Sequence, residues 1–214
     1  MIAYILAAVA AYLLGSIPFG YLAGLSRGVD IRTAGSGNIG ATNVFRVLGK
    51  KLGIATLVLD VFKGIAAVAV IPMCVWAALS LDGAPPLALE MTCAVCVLAG
   101  HALPVFLNFR GGKGVATGLG IVIGVAPLTA LVGIGVWIAL FVATRYVSVG
   151  SIGAALTAMS AVWFLDNTRE PRHLVPAIVS VLTVFVIVKH HSNIKRLIHG
   201  TENRFSFGRT RKDL

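Results

Sequence analysis

Residues 115–144 read VATGLGIVIGVAPLTALVGIGVWIALFVAT, thirty positions without one charged side chain, interrupted near the middle by Gly124 and Pro127. A helix needs roughly 20 apolar residues to cross the hydrocarbon core, so this run is long for one crossing and short for two. The other apolar runs, at residues 1–25, 52–81, 87–107, 147–165 and 174–188, each read as one crossing. Charge decides the remaining one, because lysine and arginine collect in the loops on the cytoplasmic side. Arg27, Arg32, Arg46, Lys50 and Lys51 follow the first run; Lys189, Lys195, Arg196, Arg204, Arg209, Arg211 and Lys212 follow the last. A single crossing by residues 115–144 puts these clusters on opposite sides. Two crossings, with a short first helix turning near residues 124–127, bring both inside. The expected fold is all-α: a polytopic membrane protein of seven transmembrane helices, amino terminus outside and carboxyl terminus cytoplasmic. It forms a single domain over residues 1–214, with 198–214 as a basic cytoplasmic tail.

Composition agrees. The chain is 57% hydrophobic and 12% charged, with a mean hydropathy of +0.91, far more apolar than a soluble domain. A net charge of +10 in a soluble protein would point to nucleic acid; here the basic residues sit between apolar spans and report orientation, so no nucleic-acid partner is expected. Residues 1–25 carry no basic leader and read as a retained span. Cys93 and Cys96 form an isolated CxxC inside an apolar run, with neither a second pair nor paired histidines to complete a metal site, and read as small buried residues. No metal or cofactor is expected.

Three polar segments fall on the expected cytoplasmic side. The first, residues 35–46, is GSGNIGATNVFR. Its glycines permit positive φ and let backbone N–H groups turn toward an anion. Ser36, Gly37, Asn38, Thr42 and Asn43 add neutral donors and Arg46 a bidentate fork. The GxGxxG within it, with Asp60 some way on, imitates a dinucleotide fingerprint, but no strand precedes it and Asp60 lies in an apolar run. The second segment, Asn108-Phe109-Arg110-Gly111-Gly112-Lys113-Gly114, runs straight into an apolar helix, where N–H groups and the helix dipole favour phosphate. It lacks the first glycine and the Ser or Thr of a Walker loop, so the motif does not support ATP or GTP hydrolysis. The third contains His190 and Asn193, three apart and on one face if the helix continues, where an imidazole and an amide can orient a hydroxyl nucleophile or support an oxyanion. Ser148 and Ser151 are expected to cap a helix start on the same side, with ligand contact by Ser151 as the bolder reading. Asp60 and Lys63, at i and i+3 in an apolar run, are expected to pair; Lys63 can also reach a phosphate from within the bundle.

Together GSGNIGATN with Arg46, LDVFKG, GHALPVFLNFRGGKGVAT, SVGS and HHSNIKRL followed by GTEN resemble the successive motifs of the bacterial acyl-phosphate:glycerol-3-phosphate acyltransferases. Lys189 and His191 depart from a more arginine-rich pattern in that family. The resemblance implies a multi-pass enzyme of the bacterial inner membrane with its active site facing the cytoplasm. It would make lysophosphatidate from glycerol 3-phosphate and a fatty acyl phosphate, with membrane lipid as its surroundings. It assigns importance to Ser36, Arg46, Lys113 with Gly111, Gly112 and Gly114, His190, Asn193 and Ser151. The HxxxxD arrangement of CoA-dependent glycerolipid acyltransferases does not occur. The alternative is a membrane transporter of a phosphorylated solute, for which repeated halves and a midplane site are the usual signs.

Overall fold

The computed structural model describes residues 1–166 and 168–205; the basic residues Arg209, Arg211 and Lys212 lie outside the described part. Among the described residues every regular element is helical. The chain begins with α1 (Ile2–Ser16) and α2 (Phe19–Leu25), which Ile17 and Pro18 separate. After the opening loop come the short amphipathic α3 (Ala41–Leu48), then α4 (Lys50–Ala69) and α5 (Ile71–Ala78). The central helix is α6 (Leu87–Ala102), followed by a 3-10 turn at Val105–Leu107 and the lysine loop. The remaining helices are α7 (Val115–Val125), α8 (Pro127–Thr144), α9 (Val147–Leu165), α10 (Leu174–Lys189) and α11 (His191–Ile198).

Among the described residues, five helical stretches are long and apolar enough to cross a membrane: Ile2–Leu25, Lys50–Ala78, Leu87–Leu107, Pro127–Thr144 and Val147–Leu165. The pair α10 and α11, bent by 54°, makes a sixth, and α7 is a shorter apolar helix. The long run 115–144 therefore breaks, and it breaks at Ala126, whose φ of −148° and ψ of 68° lie outside the helical region. Pro127 is the cause: its ring disfavours helical backbone at the residue before it, and its fixed φ suits the first position of the next helix. The two halves then diverge, α7 packing chiefly on α4 and α8 on α9.

The core gathers around α6, where Leu89, Cys93, Ala94 and Val97 are fully buried against Ala7 and Ala11 of α1 and Val175 and Val179 of α10. Cys93 is thus a buried core residue, and the three cysteines are free thiols. Opposite faces carry exposed Val9, Val58, Phe62, Leu131, Val142 and Val181, the pattern of helices that meet lipid. Helices in lipid attract each other through close packing more than through hydrophobic burial, and small residues allow it. Two reciprocal glycine contacts show this. A β-carbon on Gly15 would stand 2.2 Å from Val97 O, and one on Gly100 2.2 Å from Tyr12 O, so α1 and α6 touch backbone to backbone. Gly64 and Gly120 do the same for α4 and α7, against Thr117 O at 2.2 Å and Val61 O at 2.0 Å.

Gly64→Ala is therefore expected to destabilise the purified protein by about 2 kcal/mol, within the range for overpacking, because a backbone carbonyl cannot swing aside. Gly135→Ala, where nothing stands within 4 Å, should leave the thermal midpoint in detergent unchanged.

Candidate active site

The three polar segments meet at the mouth of one cavity of about 500 Å³. Ser36, Gly37, Asn38, Thr42, Asn43 and Arg46 line it from the opening loop and α3. Gly111, Lys113 and Gly114 line it from the lysine loop, Ser148 and Ser151 from α9, and His190, Asn193 and Arg196 from the corner between α10 and α11.

The opening loop is held by its own amide. Asn43 is 2% exposed; its Oδ1 accepts from Ser36 N–H at 2.8 Å, and its Nδ2 donates to Ile31 O at 3.2 Å and Ala34 O at 3.0 Å. Gly35 and Gly37 take φ of 60° and 70°, so the turn that presents Ser36 needs residues without a β-carbon. Asn38 Oδ1 accepts from Gly40 N–H at 2.8 Å. Asn43, expected as a ligand donor, is thus the staple of the loop, and Ser36 and Arg46 are what the loop presents.

The lysine loop differs from the expected cradle. Gly111 N–H donates to Ala102 O at 3.2 Å and Gly112 N–H to His101 O at 3.1 Å, so both are committed to the end of α6. A β-carbon on Gly112 would lie 2.2 Å from His101 Nε2, which explains the glycine: the loop is laid directly on the imidazole. Gly112 and the exposed Arg110 are not part of the lining. What reaches the cavity is Lys113, followed by Gly114, Val115 and Ala116 at the amino end of α7, where the first N–H groups have no partner within the helix.

Lys113 Nζ donates to Asn193 Oδ1. Asn193 Nδ2 donates in turn to Glu202 Oε1 at 2.6 Å, and Ser148 Oγ donates to the same oxygen at 2.9 Å. Arg196 Nε donates to Glu202 Oε2 at 2.7 Å. Glu202 is the anchor that sequence reasoning did not place in the site, although GTEN carried it. It is brought there by residues 201–205, which double back: Phe205 N–H donates to Arg145 O at 2.8 Å, and its ring packs 5.1 Å from Phe45 and 5.4 Å from Phe141. Part of the expected tail is therefore docked on the bundle. Burial pushes the Glu202 carboxyl up, but the hydrogen bonds from Asn193, Arg196 and Ser148 outweigh it and hold it below the usual carboxylate range. Burial pulls the Lys113 ammonium down to about 8, with Arg196 and Arg46 adding to the fall and Glu202 opposing it.

His190 is 3% exposed, and its Nδ1 lies 2.7 Å from Val186 O. A carbonyl only accepts, so Nδ1 carries the proton and Nε2 is the acceptor of the neutral ring. The serines do not cap α9: Ser148 reaches Glu202, while Ser151 Oγ donates to Val147 O at 2.8 Å and accepts from Trp137 Nε1 at 3.3 Å. Trp137, on the opposite helix, carried no signal in the sequence beyond an apolar run.

Lys63 is corrected. It is 1% exposed and outside the cavity lining; its Nζ donates to Gly15 O at 3.1 Å and Ile17 O at 3.3 Å and pairs with Asp60 Oδ1 at 2.9 Å. The expected pairing with Asp60 is present. The reach toward a phosphate is not, because the break between α1 and α2 claims the ammonium.

A family model described as glycerol-3-phosphate acyltransferase matches residues 5–200. Proteins named glycerol-3-phosphate acyltransferase from Geobacter sulfurreducens and Clostridioides difficile are 46% and 43% identical, covering 91% and 94% of this chain and 94% and 95% of their own. The crystal structure of an integral membrane glycerol 3-phosphate acyltransferase in its glycerol 3-phosphate form is similar, with a TM-score of 0.82 at 38% identity over 95% of this chain and 96% of that one. Its lysophosphatidic acid form gives 0.79 at 36% identity over 95% of each.

Amine-selective labelling of Lys113, read by mass spectrometry across pH, should show a midpoint near 8. Glu202→Gln removes the opposing charge and should move that midpoint lower; a midpoint that stays put would separate the two groups electrostatically.

Proposed function

The chain belongs to the glycerol-3-phosphate acyltransferase family, and from that premise we propose how its site acylates glycerol 3-phosphate. It is a membrane acyltransferase of phospholipid synthesis. The fatty acyl group comes from an acyl phosphate and goes to the 1-hydroxyl, giving lysophosphatidate and inorganic phosphate. The observation that carries this reading is the joining of a cationic mouth, with Arg46, Lys113 and Arg196, to an apolar cavity between helices. Both substrates present phosphate to the mouth, and one trails an acyl chain.

In the reaction the 1-hydroxyl oxygen attacks the acyl carbonyl carbon, the bond from that carbon to the phosphate oxygen breaks, and phosphate leaves. The hydroxyl proton passes to an oxygen of the departing phosphate, so no strong protein base is needed. Lys113, Arg46 and the amino end of α7 neutralise the leaving group. His190 Nε2 accepts a hydrogen bond from the neighbouring 2-hydroxyl of glycerol 3-phosphate and so orients the 1-hydroxyl, whose proton stays free to pass to phosphate. Asn193 acts by holding Lys113 and Glu202, a positioning role supported by its two bonds. Ser36 donates to a substrate phosphate. Ser151, bonded within its helix and to Trp137, shapes the wall.

The same reading takes residues 1–214 as one domain of seven crossings, with α7 and α8 as separate ones. The amino terminus lies outside, and the site and residues 198–214 lie on the cytoplasmic side of the bacterial inner membrane. The basic loops support that orientation. In a cysteine-free background, a cysteine introduced at Asp82 should react with a membrane-impermeant thiol reagent in intact cells and one at Thr201 only after lysis; the reverse pattern inverts the topology.

Purified protein given labelled glycerol 3-phosphate and acyl phosphate should release lysophosphatidate and inorganic phosphate in equal amounts. Its absence from folded protein would leave the transporter reading. Lys113→Ala should lower kcat/KM by about 100-fold or more with an unchanged thermal midpoint. In the native protein kcat/KM should fall as pH rises through about 8, since the ammonium is charged below that value and neutral above it. Lys113→Arg, charged throughout, should lose this alkaline limb. His190→Ala should reduce kcat by about 100-fold; an effect confined to KM would make it a binding residue.

A further inference from the structure

Beside the cavity, Asp60, Lys63 and His101 form a buried polar cluster that the proposed chemistry does not use. His101, in the last turn of α6, meets the lysine loop twice. Its carbonyl accepts from Gly112 N–H at 3.1 Å, and a β-carbon on Gly112 would stand 2.2 Å from Nε2 and 3.0 Å from Cε1 of its ring. The opposite edge of the ring has no room to retreat. Its Nδ1 lies 3.7 Å from Asp60 Oδ1, Asp60 is held by Lys63 at 2.9 Å, and Lys63 is fixed on Gly15 O and Ile17 O. The space that these residues enclose with Ser16 and Pro104 does not admit a water molecule. The backbone behind the ring is equally set, because Gly100 packs on Tyr12 O of α1.

We infer that His101 is a positioning residue for acyl transfer: a backstop, braced on the Asp60–Lys63 pair, that sets how far the lysine loop sinks and so where Lys113 meets a phosphate. The inference rests on the acyl-transfer reading. Lys113 follows Gly112 directly and Gly114 leads into α7, so a displacement at Gly112 is passed to the ammonium and to the first N–H groups of that helix. Ordinary contact for a β-carbon begins at 3.4 Å, so a methyl on Gly112 has to move the loop by about 1 Å. A misplacement of that size costs about 100-fold in rate. The neighbouring Gly111 is crowded by different atoms: a β-carbon there would stand 2.1 Å from His101 O and 2.8 Å from Ala102 C, both backbone. Only the clash at Gly112 belongs to the imidazole, and this separates a backstop from a generally tight loop.

The test is a double-variant cycle of Gly112→Ala, His101→Asn and their combination, read by kcat/KM for palmitoyl phosphate at fixed glycerol 3-phosphate and by the labelling midpoint of Lys113. The asparagine amide reaches the place of Nδ1 beside Asp60 and lacks Cε1 and Nε2, the ring atoms nearest Gly112. Gly112→Ala should lower kcat/KM by about 100-fold in the native background but by about 3-fold or less beside His101→Asn. It should also move the Lys113 midpoint away from about 8, a value set first by burial and then by Glu202, Arg196 and Arg46, and the second substitution should bring it back. A merely destabilised bundle lowers the thermal midpoint without this reversal. Gly111→Ala should gain nothing from His101→Asn. His101→Ala, which removes the whole ring, takes the place of His101→Asn if that variant does not fold. Losses that simply multiply, or a Gly111→Ala defect relieved equally, overturn the backstop while leaving the enzyme reading intact. If the native protein makes no lysophosphatidate, the enzyme reading fails, and the labelling midpoints alone still decide whether His101 sets the loop.

Discussion

A helix broken inside a membrane leaves carbonyl oxygens that water cannot reach, and each costs several kcal/mol unless another group pairs with it. The break at Ile17 and Pro18 creates this problem, and Lys63 solves it by donating to Gly15 O and Ile17 O. The solution needs its own solution, because a buried ammonium requires a counter-charge, and Asp60 supplies it one helical turn away. Asp60 Oδ1 lies 3.7 Å from His101 Nδ1, and the other edge of that ring abuts Gly112. The chain of contacts thus runs from a helix break, through a buried ion pair, to the loop that carries Lys113. Gly15 is also the point where α1 touches α6, so the residue whose carbonyl needs the lysine is the residue that fixes the two helices together.

The mouth of the cavity follows an opposite electrostatic rule. There, Arg46, Lys113 and Arg196 gather positive charge that a pair of anionic substrates is to balance, and the Glu202 carboxylate offsets their mutual repulsion. Glu202 does not touch Lys113 directly: the neutral amide of Asn193 stands between them. The amide aims the ammonium without cancelling its charge, which a direct salt bridge would do. This accounts for an asparagine beside the histidine in that segment, where the sequence alone admitted an oxyanion role.

The sequence was most legible where local chemistry decides structure. Pro127 forces a break whatever surrounds it, and the glycine-rich loops have no helical alternative. His190 and Asn193 were expected on one continuous helical face; instead the helix breaks at His190, and the 54° corner between α10 and α11 brings both to the cavity. The sequence was least legible where a side chain chooses among distant partners. Lys63 and Lys113 look alike in sequence, each a lysine beside glycine; only the break seventeen residues into the chain, packed against α4, tells that one is structural. Arg110 and Lys113 are close neighbours, yet the two N–H bonds to the end of α6 turn the loop so that only the lysine enters the cavity. Glu202 required residues 201–205 to fold back on Phe45 and Phe141, a contact with no local signature. Ser148 was read as a cap because its distant acceptor was invisible.

The shortness of α7 unites these features. It has 11 residues against 18 in α8, and the two share a junction, so the amino end of α7 stops about 10 Å short of the far end of α8 if both run alike. Lys113 is half-buried where the loop meets α7, and this burial pulls its ammonium down to about 8. A loop at the level of the lipid headgroups would meet phosphate in water, where each cation is worth little. Half-buried, the same charges act at lower dielectric. Burial thus strengthens the field that Lys113 and the amino end of α7 place on a phosphate.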